Sequence, residues 1–110
     1  MRINEELKDG IMACRLKGEI NINTSPELRK VFDKFIRSNI KKIIVDFSEV
    51  PYTDSSGLAT LIELLQRLKK TNGDLRLCSM SDKIKGIFEV TRLDKLFSIY
   101  SSCESALEGF

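Results

Sequence analysis

Asp54, Ser55 and Ser56 place three oxygen-bearing side chains in a row, between Tyr52-Thr53 and Gly57-Leu58, where an apolar stretch gives way to an amphipathic one. Asp and Ser are strong helix N-caps, and the first-turn N–H groups of a helix lack intrahelical partners and favour negative charge. Such a run supports two kinds of chemistry. One of the three can cap a helix, and a hydroxyl left over can accept a covalent phosphate, which adds about −1.5 to −2 charge. Other chemistries find little support. Histidine is absent, so the commonest general base and metal ligand is missing. Without a GxSxG elbow nothing activates Ser55 or Ser56 as a hydrolase nucleophile. A GxxxxGK[ST] loop is also absent, so any nucleotide contact would rest on the helix start alone. Cys14, Cys78 and Cys103 are odd in number and far apart, which suggests reduced thiols rather than a disulfide framework or a CxxC pair. Cys14 and Cys78 lie in alternating stretches, where free cysteine packs as a small hydrophobe. No cofactor, no metal and no enzymatic activity are expected.

The elements that must position Ser56 follow from periodicity. Ile3 to Leu7 reads as a strand, Lys8-Asp9-Gly10 as a hairpin turn, and Ile11 to Gly18 as a half-buried strand with Met12, Cys14 and Leu16 on one face. Thr24-Ser25-Pro26-Glu27 predicts a helix start with Thr24 as cap and Glu27 returning the hydrogen bond. Leu28, Val31, Phe32, Phe35 and Ile36 then form its apolar stripe. Ile43 to Phe47 is β-branched and nearly all apolar, as in a central parallel strand covered on both faces. A helix from about Ser56 to Lys70 carries Leu58, Leu61, Ile62, Leu65 and Leu68 and stops near Thr71-Asn72-Gly73. Strands at 75–79 and 96–100, a short helix capped by Ser81 or Asp82, and a closing turn or two over 102–107 complete the order β-β-α-β-α-β-α-β-α. Right-handed crossovers then imply a mixed sheet.

Length and charge narrow the class further. With 110 residues, 42% of them hydrophobic, the chain suits one domain over residues 1–110. The net charge of +2 is spread evenly, which argues against a nucleic-acid surface. No run is long enough to span a bilayer, and no signal peptide is expected from the N-terminal residues, so a soluble cytoplasmic protein without membrane insertion is expected.

At about 100° per residue, the leucines of the second helix cluster opposite Ser56, whereas Thr60, Glu63 and Arg67 fall on its side. Ser56 is therefore expected to face solvent, with Asp54 or Ser55 as the cap and Gly57 leaving the backbone open to another molecule. Spacing alone leaves open whether the run is only a cap or also a phosphate acceptor.

The Ile43–Phe47 strand, its connector through Thr53, the Asp54-Ser55-Ser56-Gly57-Leu58 motif with its helix, and Gly18-Glu19-Ile20-Asn21 resemble the STAS domain of bacterial anti-sigma factor antagonists over essentially the whole chain. The resemblance implies an α/β fold, a mixed sheet of four to five strands with helices mainly on one side. It also implies partner switching. The unphosphorylated antagonist binds an anti-sigma factor that is a serine kinase, freeing the sigma factor; phosphorylation of the serine before the glycine ends binding, and a serine phosphatase restores it. Carried over by position, the phosphorylated residue is Ser56, and the partner surface comprises Glu19, Asn21, Asp54, Ser55, Ser56 and Gly57. Many members carry Asp where this chain has Asn21, a neutral amide that still accepts hydrogen bonds or forms an Asx turn. The alternative within the resemblance is a scaffold subunit of a lipid-transport or stressosome-like complex, with Ser56 only a cap.

Overall fold

The computed structural model describes residues 1–110. A five-stranded sheet runs in the order β1(Arg2–Lys8), β2(Ile11–Lys17), β3(Lys42–Glu49), β4(Asp74–Cys78), β5(Ser98–Tyr100), so spatial order follows chain order. The β1–β2 hairpin is antiparallel, and β2–β3, β3–β4 and β4–β5 are parallel. Asp9 and Gly10 both have positive φ (53° and 78°), the conformation of a tight hairpin turn. Each parallel step needs a crossover, supplied by α1(Ser25–Arg37), α2(Ser55–Lys70) and α3(Asp82–Val90). A short 3₁₀ turn over Leu93–Lys95 and a last helix α4(Cys103–Leu107) follow.

The register explains the layers. Cys14 pairs with Val45, Val45 with Leu77, and Leu77 with Ile99. With Met12, Leu16, Ile43, Phe47 and Leu75 they turn toward the face covered by α1, α2 and α3, where the main core gathers. Phe88 of α3 packs edge-on against Phe47 and Phe97, with centroids 6.3 and 5.7 Å away. The opposite face is closed by α4, whose Ala106 rests on Ile44 and Cys78. β3 is thus apolar on both sides, and the helices lie mainly on one side of a mixed sheet, as expected.

Local details differ from expectation. Thr24 is the first residue before α1 but makes no side-chain cap; its Oγ1 donates to the Glu19 carbonyl and accepts the Asn21 N–H, both at 2.9 Å. The loop before the helix claims that hydroxyl, so no capping box forms with Glu27. The final strand starts at Ser98 rather than Leu96, because the 3₁₀ turn takes up the preceding residues. Leu64, which the five-residue stripe omitted, is buried, whereas Ile62 is half-buried. Just past the end of α2, Asn72 with its φ of 61° supplies the left-handed residue. Gly73 serves a different need, since a Cβ there would stand 2.6 Å from the Lys41 carbonyl. Cys78 and Cys103, distant in sequence, are free thiols as expected but meet with their sulfurs 2.6 Å apart, a proximity their spacing does not signal.

Candidate functional site

Two loops that end parallel strands are joined beside the start of α2. Gly18 N–H donates to the Glu49 carbonyl, Ile20 N–H to that of Tyr52, and Asp54 N–H to that of Ile20, so Ile20 and Thr53 form a parallel bridge beyond the sheet. This zipper carries Glu19, Asn21 and Ile22 alongside Asp54, Ser55 and Ser56.

Asp54 is the N-cap. Its backbone is extended, and its Oδ1 accepts the N–H of Ser56 at 2.9 Å and of Gly57 at 3.2 Å. Its Oδ2 accepts the Ile22 N–H at 3.1 Å, tying the cap to the neighbouring loop. Ser55 is exposed and spare, and Ser56 lies one residue into the helix. The Ser56 hydroxyl donates to Asp54 Oδ1 at 2.6 Å and accepts the Ser25 hydroxyl at 3.1 Å. The relay Ser25 to Ser56 to Asp54 leaves the Ser56 oxygen oriented between a hydroxyl donor and a carboxylate acceptor.

Ser56 is half-buried, not turned fully to solvent as its helical phase suggested. The phase locates the sheet correctly but is blind to α1, which packs along the Ser56 flank. Thr60, placed by phase on the same flank, is only 2% exposed; its hydroxyl donates to the Ser56 carbonyl at 2.9 Å, and Arg29 of α1 reaches it at 3.4 Å. Gly57 also differs from expectation. Its missing Cβ admits Ile20 and Thr53 of this chain rather than another molecule, and the residue is buried. Ser25, 4% exposed, belongs to the site although its run predicts only a helix start. The one sequence signal for it was a hydroxyl at the head of α1, and its contact with Ser56 spans 31 positions.

Asn21 needs no charge where it stands. Its Oδ1 accepts the N–H groups of Asn23 at 2.9 Å and Thr24 at 3.1 Å, an Asx turn that shapes the loop. Glu19 is exposed beside it. Ile22 (72% exposed) and Tyr52 (37% exposed) give the surface around Ser56 an apolar rim.

The Ser56 hydroxyl foremost, with the N–H groups of Gly57, Ser56 and Ile22, holds the Asp54 carboxyl below its usual range against a smaller opposing effect of desolvation. A depressed carboxyl adds stability that is complete above its unfolded value and lost as pH falls through the folded value. Asp54→Asn keeps a good cap but removes that titration. The fall of Tm with acidification below about pH 3.8 is therefore expected to be shallower in the variant. Parallel Tm profiles for the two proteins would contradict this.

The architecture and the capped junction after β3 define an α/β domain built on one mixed sheet with a hydroxyl presented at the start of α2. The STAS domain pattern matches residues 2–106, and the chain belongs to the STAS domain family. It is 28% identical over 104 residues to the anti-sigma-B factor antagonist of Staphylococcus aureus, covering 94% of this chain and 96% of that protein. A crystal structure from Thermotoga maritima matches with a TM-score of 0.92 at 26% identity, covering 96% of this chain and 92% of the other. The phosphorylated form of the Bacillus cell fate determinant SpoIIAA shares the fold, with a TM-score of 0.77 at 20% identity over 97% of each chain. No helix is long and apolar enough to cross a membrane.

Proposed function

We propose that this protein is an anti-sigma factor antagonist that binds an anti-sigma factor serine kinase while Ser56 is unmodified, and that phosphorylation of Ser56 releases the partner until a serine phosphatase removes the group. The observation that carries the reading is a division of labour: Asp54 alone caps α2, which leaves the Ser56 hydroxyl surplus to the cap, part-exposed and hydrogen-bonded to a carboxylate. The Staphylococcus aureus relative bears the antagonist name, and a protein of the same fold exists in a phosphorylated form.

The electrostatics support a switch. Asp54 already occupies the N–H groups of Ser56 and Gly57, so a phosphate on Ser56 would have to compete with that carboxylate for them. It also brings a second anion to a carboxylate that now receives the Ser56 proton at 2.6 Å. The added charge is thus directed outward, into the surface bordered by Glu19, Asn21, Ile22, Tyr52 and Ser55.

The test is a lysate pull-down with ATP, read by mass spectrometry for the captured protein and for phosphate on the bait. Capture of a kinase-like ATPase with phosphate at Ser56 is expected, whereas capture of transporter subunits without phosphate would favour the scaffold reading. With the partner in hand, Ser55→Ala is expected to remain a substrate and Ser56→Ala to bind but gain no phosphate. A phosphate on Ser56→Ala would remove Ser56 from the role.

A further inference from the structure

On the sheet face away from Ser56, the last residue of β4 and the first of α4 bring two thiols together. Cys78 is fully buried and Cys103 half-buried, and their sulfurs lie 2.6 Å apart, within about 0.6 Å of the covalent S–S length of about 2.05 Å. The backbone on both sides is fixed. Cys78 pairs with Tyr100, Ser79 N–H donates to the Tyr100 carbonyl at 3.2 Å, and Ser102 caps α4 through the Ser105 N–H. Ala106 packs on Ile44 and Cys78, while Arg76 holds the carbonyls of Ala106 and Glu108 at 2.9 and 2.7 Å. The two sulfurs therefore need little backbone movement to bond.

We propose that Cys78 and Cys103 form a reversible disulfide, made by exchange with a low-molecular-weight disulfide, that ties α4 to β4. A cleft lined by Glu5, Arg15, Asp46, Cys103 and Leu107 opens beside the half-buried sulfur and gives the oxidant its route. Cys103, as thiolate, attacks one sulfur of the small disulfide, forming a mixed disulfide and expelling one small thiol. Cys78, as thiolate, attacks the Cys103 sulfur and expels the second. Two protein thiols are oxidised to one S–S bond, one small disulfide is reduced to two thiols, and the two protons pass to those thiols.

Asp46 lies beside the pair, and its carboxylate faces Arg15 at 3.2 Å and accepts the Ser48 N–H at 2.8 Å. Those partners leave it engaged rather than open to a cation, which favours sulfur–sulfur chemistry here. Burial first, and the Asp46 carboxylate after it, push the Cys103 thiol up, and burial does the same to Cys78. Exchange therefore accelerates with rising pH.

The full chain, equilibrated under native conditions with excess oxidised glutathione at mildly alkaline pH, is expected to fall from three titratable thiols to one, Cys14, after denaturation. It should become lighter by about 2 Da. A Cys78–Cys103 peptide should appear on mapping, and Tm should rise by about 5–10 °C, because the bond closes a loop between residues 25 apart. Cys103→Ser should form no internal disulfide and show no such rise. If that variant fails to fold, the wild-type peptide map still decides. Three surviving thiols, glutathione adducts alone, or a bond involving Cys14 or a second chain would overturn the proposal.

Discussion

Ser56→Asp is expected to lower affinity for the anti-sigma partner at least about 100-fold, a loss of about 2.7 kcal/mol, with the fold retained. The aspartate loses the hydroxyl that donates to Asp54 and accepts from Ser25, and it sets a permanent charge beside a carboxylate. In the proposed interface, matched to a neutral hydroxyl, such a charge is left unpaired and partly desolvated, and the unmet cost is expected to appear as faster dissociation. Two measurements separate binding from folding: circular dichroism of the free variant, and titration calorimetry against the captured partner. Wild-type affinity in a folded Ser56→Asp protein would defeat the switch reading. Ser25→Ala is the useful companion, since it removes one member of the relay without adding charge and should weaken binding far less.

Gly57→Ala should be costly for a reason unrelated to chemistry. A Cβ at position 57 would stand 2.6 Å from Ile20 Cγ2 and closer still to the Thr53 hydroxyl, two atoms fixed by the loop bridge. Relieving that overlap costs about 1–3 kcal/mol or more, against a gain of about 1 kcal/mol from replacing a helical glycine. A net loss of about 2 kcal/mol is expected, lowering Tm by about 10 °C. Urea unfolding of Gly57→Ala, Thr53→Ala and the double variant provides the check. Thr53→Ala removes the atom that would be struck first, so the two changes should be non-additive, the second softening the first. A Gly57→Ala protein as stable as the wild type would show that Ile20 and Thr53 yield, and the bridge would then be looser than its hydrogen bonds imply.

Much of the fold can be read from periodicity because the core obeys it. The alternation of Met12, Cys14 and Leu16, the apolar run at Ile43–Phe47 and the leucines of α2 each bury the face that their spacing selects. Sequence alone narrows the capping residue to Asp54 or Ser55, and the carboxylate takes the role by reaching two N–H groups with one oxygen. What spacing could not supply were relations between elements. Helical phase gives Ser56 a solvent-facing direction, yet α1 flanks it, with Ser25 against the Ser56 hydroxyl and Arg29 over Thr60, so Ser56 is half-buried. Thr24 looked like a cap in isolation, but the loop from Glu19 recruits its hydroxyl first. Glycine at position 57 signalled an approach without saying whose. The meeting of Cys78 and Cys103 likewise depends on where α4 comes to rest, a property of the packed sheet rather than of either segment.

The bridge between Ile20 and Thr53 also bears on how fast and how tightly a partner can be held. Loops usually lose conformational freedom when they bind, and immobilising each flexible side chain costs about 0.5–1.5 kcal/mol. Here Gly18, Ile20, Ile22 and Asp54 are cross-linked by main-chain and carboxylate hydrogen bonds before any partner arrives. The surface proposed for recognition is preorganised, so it can support a modest contact area without a large entropic penalty. Variants that loosen the bridge should therefore weaken binding even where they touch no partner atom.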